Sequence, residues 1–206
     1  MDLAHPYAVI CPTLDSGALT VLAGTTRPLT GREIARLLGR PSHSGVLDAL
    51  NRLVEHGLVD REEAGRAFLF TLNREHLAAP AVDVLAGLRS ELLDRLGDTV
   101  GSWDIEPVHV SLFGSAARGE GNTQSDIDLF VVRPEKVDGE DPRWRDQLDL
   151  LARQVQRWTG NRAGIAEVDS GALPRLRKEW PPILAELQAD AITIAGTEVT
   201  TLLGEA

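Results

Sequence analysis

Asp126 and Asp128 are separated by a single residue at the start of the run Ser125-Asp126-Ile127-Asp128-Leu129-Phe130-Val131-Val132. The apolar, β-branched continuation predicts a strand, and strand alternation then puts both carboxylates on one side. Two such groups roughly 5 to 7 Å apart repel by about 2 to 3 kcal/mol at an effective dielectric near 20. A divalent cation removes that cost. Aspartate oxygens with positions left over for water and phosphate suit Mg²⁺, or Mn²⁺ in its place.

Just upstream, the β-rich residues 108–113 run into Gly114-Ser115-Ala116-Ala117-Arg118-Gly119. A strand that turns at glycine into the first turn of a helix aims backbone N–H groups at one point, where a phosphate can sit. Gly114 lets the phosphate approach without a Cβ in the way, the Ser115 hydroxyl adds a donor and Arg118 a cation one turn along. Ser125, beside the pair, is a further candidate for contact with the nucleotide. The chemistry these residues point to is metal-assisted handling of a phosphate chain.

The combination "G-S-x-A-R-G" followed by "S-D-I-D-L" resembles the nucleotidyltransferase superfamily typified by DNA polymerase β, particularly its minimal bacterial and archaeal members. Six matched positions at background frequencies near 6% each would coincide by chance about once in 10⁷ start positions. The resemblance covers about residues 105–195 and implies transfer of a nucleoside monophosphate from an NTP to an acceptor hydroxyl, with release of pyrophosphate. It also implies a third carboxylate on a later strand, which shares the metal and draws the proton from the attacking hydroxyl. Residues 162–169 read as that strand, with Glu167 and Asp169 on one face. Glu167 is the choice because it lies deeper in the strand. Asp169 is the runner-up and reads better as a helix cap ahead of Gly171-Ala172-Leu173.

These residues need elements to position them. A helix from Asp141-Pro142 through Trp144, Leu148, Leu151, Val155 and Trp158 to Gly160 connects the pair's strand to the later one, and a helix broken at Trp180-Pro181-Pro182 precedes a last short strand at 191–195. Residues 75–100 read as one amphipathic helix, with Val82, Leu85, Leu88, Leu92, Leu93 and Leu96 at helical spacing. Further upstream, Thr30-Gly31-Arg32-Glu33 is a capping box before Ile34, Leu37 and Leu38. Val46, Ala49, Leu50 and Leu53 mark another helix that ends at Gly57, and 58–72 read as a β-hairpin. The wording "L-T-x-x-E-I-A-x-L-L-G" followed by "L-x-x-L-x-x-x-G-L-V" resembles the winged helix-turn-helix of small bacterial regulators. That resemblance implies a DNA contact through Arg40, Ser42, His43, Ser44, Arg52 and Arg66. Such domains also serve as dimerisation or docking modules, so a homodimer is an alternative use.

The expected architecture is α+β: a winged helix-turn-helix at 13–76, a linker helix and loop at 77–104, and a polymerase-β-like nucleotidyltransferase sheet with flanking helices at 105–206. The 206 residues suffice for two small cores. Residues 1–76 hold 8 Lys/Arg against 9 Asp/Glu, so most of the net charge of −10 falls on the rest of the chain. An acidic body repels a phosphate backbone, which favours a protein or small-molecule acceptor over RNA. Cys11 is the only cysteine, there is no basic-apolar leader and no long apolar window, so a cytoplasmic protein without a membrane span is expected. The competing function is a DNA-binding regulator whose nucleotidyltransferase domain senses nucleotide or is inactive.

Overall fold

A computed structural model describes residues 1–3, 5–39 and 42–204. The chain is mixed α+β with two separate sheets and divides into two compact units between Arg89 and Ser90, with Met1 and Leu3 belonging to the second. Among the described residues no helix is long and apolar enough to cross a membrane.

The first unit contains α1 (Leu14–Ala23), β1 (Leu29–Thr30), α2 (Gly31–Leu37), α3 (His43–Glu55), the hairpin β2 (Val59–Ala64) and β3 (Ala67–Leu72), and α4 (Ala79–Ala86). The capping box at the start of α2 forms as its sequence predicts: Glu33 N–H donates to Thr30 Oγ1 at 3.2 Å, and Thr30 N–H donates to Glu33 Oε2 at 2.8 Å. Gly65, at φ +65°, turns the hairpin, and β3 lies between β1 and β2 in an antiparallel sheet. Leu22, Ile34, Val46, Leu50 and Phe70 are the buried centre of this unit.

The predicted helix over 75–100 is two helices. α4 ends at Gly87, and α5 (Leu88–Gly101) begins directly after it. Glycine is a poor helix former, and the apolar residues on either side of it serve different cores: Val82 packs in the first unit, Leu92, Leu96 and Val100 in the second.

The second unit is built on β4 (His109–Phe113), α6 (Gly114–Arg118), β5 (Ile127–Arg133), α7 (Pro142–Thr159), β6 (Ala163–Asp169), α8 (Leu173–Glu179), α9 (Pro182–Asp190), β7 (Ile192–Gly196) and α10 (Val199–Leu203). The sheet order is β6-β5-β4-β7, with β6 parallel to β5 and the other pairs antiparallel. Its two faces are distinct because alternate residues of each strand point opposite ways. Val110, Leu112, Ile127, Leu129 and Val131 pack against α5 and α7, through Leu96, Trp144, Leu148 and Leu151. Phe113, Phe130 and Val132 pack against α8, α9 and α10, through Leu173, Leu184, Leu187, Leu202 and Leu203. After β7 the chain folds into α10, whose Val199, Leu202 and Leu203 are buried.

Candidate active site

The antiparallel pairing of β4 with β5 sets Phe113 opposite Asp128. The chain therefore leaves β4 at Gly114 right beside the carboxylate. Gly114 has φ +68°, and a Cβ there would lie 2.9 Å from Asp128 Oδ2. Only glycine satisfies both the backbone angle and the space. The short α6 follows and is closed by Gly119 in the left-handed region at φ +71°. Glu120 N–H donates to Ser115 O at 2.8 Å, which turns the chain back toward β5.

The loop that presents Asp126 is fixed from beneath. Asn122 N–H donates to Ser125 Oγ at 3.0 Å, closing a tight turn. Asn161, buried just past the end of α7, donates its side-chain amide to Asn122 O at 2.9 Å and Ser125 O at 2.8 Å, and its Oδ1 accepts from the amino group of Met1. Asn161 thus clamps the two ends of that turn one residue ahead of Asp126. Sequence reading missed it; the signal available was an amide side chain following the helix-ending Gly160.

On the other side, β6 runs parallel to β5 with Asp128 opposite Gly164. A Cβ at Gly164 would fall 2.8 Å from Asp128 Oδ1 and 3.9 Å from Asp126 Cβ. Asp126 and Asp128 therefore flank the same bare stretch of β6, as the alternation predicts. Asp126 is exposed and Asp128 half-buried. Burial pushes the Asp128 carboxyl above the usual carboxylate range, helped by the negative charge of Asp126 and then of Glu186.

Glu167 does not join the pair, which corrects the expectation. Its register partner on β5 is Val131, so it lies further along the sheet and on the opposite face, toward α7. There its Oε1 accepts from Arg133 Nε and Trp144 Nε1, both at 2.9 Å, and its Oε2 accepts from Arg145 at 3.2 Å. It is the acceptor of a cationic network that ties β5, β6 and α7 together. Asp169 shares that face and caps the turn after β6, accepting from Ala172 N–H at 3.0 Å, as the cap reading anticipated. The error lay in parity: the two residues share a face with each other, but the face of the aspartate pair is that of Gly164, Ala166 and Val168. Among the described residues no cluster of three or more His, Cys, Asp or Glu side chains converges as a metal cage.

The remaining nucleotide candidates fall around the turn. The Ser115 side chain is half-buried beside Gly121. Arg118 is held by Glu120 at 2.7 Å and by Asp190 of α9, and these carboxylates strengthen its hold on its proton. Its charge is already engaged, and its evident effect is to pin α6 to α9. The Ser125 hydroxyl shapes the turn described above.

In the first unit, Ser42 caps α3 by accepting from Gly45 N–H at 3.1 Å. His43 and Ser44 are exposed in its first turn. His43 and Arg66, with Arg32, line a cleft of about 640 Å³ between α2, α3 and the hairpin. Arg52 is instead tied by a two-pronged ion pair to Asp15, at 3.0 and 2.8 Å. Arg40 lies outside the described residues.

The profile of the nucleotidyltransferase-domain family matches residues 90–180. No curated protein matches. A solved structure described as the crystal structure of a toxin-antitoxin with AMP-PNP is similar at 15% identity and a TM-score of 0.38, covering 54% of this chain and 80% of the other. The matched segment holds the Gly114 turn, the aspartate pair and Gly164 together, and by it the chain carries a nucleotidyltransferase domain over residues 90–180 and is an enzyme of that class.

Proposed function

We propose that the chain transfers a nucleoside monophosphate from an NTP to an acceptor hydroxyl, with a divalent cation held by Asp126 and Asp128. The observation that carries this reading is the convergence of the two aspartates on glycines from both neighbouring segments, with Asp128 against Gly114 and Gly164. Two carboxylates with open space beside them fit Mg²⁺, which is commonly bound by one or two carboxylates plus substrate phosphates. The raised Asp128 carboxyl fits as well, because a bound cation would offset both the burial and the neighbouring negative charge that raise it.

In this reading the Gly114-Ser115 turn receives the triphosphate, the Ser115 hydroxyl donates to it and Asp126 and Asp128 orient the cation against its phosphates. The cation supplies Lewis-acid stabilisation of charge on the phosphate oxygens during in-line attack. Asn161 keeps the Asp126 loop in place, and the Arg118–Asp190 contact keeps the wall formed by α6 in place. The acidic second half of the chain favours a protein or small-molecule hydroxyl as acceptor. The test is transfer of label from α-³²P nucleotides in the presence of Mg²⁺ to an acceptor in cell lysate, with Asp126→Asn and Asp128→Asn as controls. Loss of at least about 100-fold is expected in each, the scale of removing one group that stabilises transition-state charge.

A second reading has one observation in its favour. The order of helices and hairpin in the first unit is compatible with a winged helix, and Arg32 of α2, His43 of α3 and Arg66 of the hairpin turn line one cleft. On this reading the unit contacts DNA through that cleft, and Arg52, occupied by Asp15, takes a structural role.

A further inference from the structure

The Gly114-Ser115 turn and the loop that presents Asp126 meet at Gly121. This glycine is buried, and a Cβ on it would lie 3.6 Å from Ser115 Oγ and 3.7 Å from the backbone nitrogen of Ala116. Its carbonyl oxygen accepts from Leu3 N–H at 3.1 Å. Leu3 is far from the loop in sequence, yet it belongs to the second unit. Its side chain is 4% exposed and shares a core with Ala116 and Ala117 of α6 and with Ile127 at the start of β5. Beside it, the amino group of Met1 donates to Thr159 O at 2.6 Å and to Asn161 Oδ1.

The loop itself has little to bury. Asn122, Thr123 and Gln124 are exposed, so the entropy lost in ordering this backbone has to be offset by its tethers and not by its own side chains. Asn161 holds Asn122 O and Ser125 O, nearer to Asp126. Leu3 holds the other end, at Gly121. A shift of Gly121 would carry with it both Asp126, five residues along, and the packing against Ser115. Those two groups have to meet the same triphosphate, and a displacement of a fraction of an ångström between them is enough to slow the chemistry.

We propose that Leu3 is a positioning residue for the nucleotide site: it fixes the Gly121 corner, and so the spacing between the Ser115 turn and the Asp126 loop. The proposal rests on the nucleotidyltransferase reading. The buried side chain is the anchor, and the backbone N–H is the hand that holds the loop.

The test is amide hydrogen exchange over residues 119–126 of the full chain, read by mass spectrometry, together with transfer kinetics, for wild type, Leu3→Ala, Leu3→Met and Leu92→Ala. Leu92 of α5 is buried in the same core and controls for a core leucine lost away from the loop; circular dichroism verifies that each variant is folded. We expect Leu3→Ala to speed exchange in the loop by about 10-fold or more. Its kcat is expected to fall by about 10- to 100-fold, with the KM for nucleotide held within about 3-fold. Leu3→Met, which conserves volume, restores both. Leu92→Ala lowers the urea midpoint but keeps loop exchange and kcat near wild type. Loop exchange in Leu3→Ala no faster than in wild type would overturn the proposal, as would faster exchange with kcat intact. An equal loss of kcat in Leu92→Ala would also overturn it, because general loosening of the core produces that result. A wild type that transfers no label refutes the nucleotidyltransferase reading, and the catalytic role of Leu3 with it; loop exchange needs no nucleotide and fails only if Leu3 does not hold the loop.

Discussion

Asp128 is wedged between two glycines, and each leaves room that any other residue would fill. At Gly114 the positive φ and the space both restrict the choice, whereas at Gly164 only space does. Gly164→Ala is therefore a clean probe of carboxylate placement: its Cβ would meet Asp128 Oδ1 at 2.8 Å, and the end of a flexible side chain is what yields. We expect Mn²⁺ affinity and transfer to fall by roughly 10-fold or more while the urea midpoint changes little, measured on one preparation. The aspartate pair and Gly114 were legible in the sequence because their spacing is local. Gly164 was not, because its relevance depends on which residue of β6 pairs with Asp128. Strand periodicity gives the relative face of neighbours within a strand but says nothing of register between strands.

At the scale of elements, the site is a strand-turn-helix against a returning strand, and the return is set by Asn161. Its amide spans Asn122 O and Ser125 O from a buried position. Asn161→Ala leaves Ser125 O without its side-chain donor and Asn122 O with the Ser125 N–H, at a cost of about 1 kcal/mol. It also frees the loop that carries Asp126. The expected result is a lower unfolding midpoint in urea and a fall in kcat that exceeds any change in the KM for nucleotide. Helices with strong end signals were read well from sequence: α2 carries its capping box and α7 starts at Asp141 and stops at Gly160. The helix over 75–100 was misjudged because an apolar stripe persists across Gly87 even though the two halves face different cores. α10 has no signal in the sequence, because its five residues are too few to show a helical period.

Across the whole molecule, a net charge of −10 sets the terms for any nucleic-acid partner. On the regulatory reading the DNA contact is the cleft that holds Arg32 and Arg66, which neutralises few phosphates. In a gel-shift titration we expect weak binding of duplex DNA that is lost toward physiological salt, with a log–log salt slope of about −2. Arg66→Ala is expected to reduce that slope by about 1. Tight, sequence-selective retardation of the DNA upstream of its own gene would instead favour the regulatory reading. The central claim is chemical, and the most direct measurement is label transfer from α-³²P nucleotides with Mg²⁺ in cell lysate. The account predicts a labelled acceptor with wild type and none with Asp126→Asn or Asp128→Asn, each still folded. A wild type that binds nucleotide yet labels nothing, or an Asp126→Asn variant that labels as well as wild type, would contradict it.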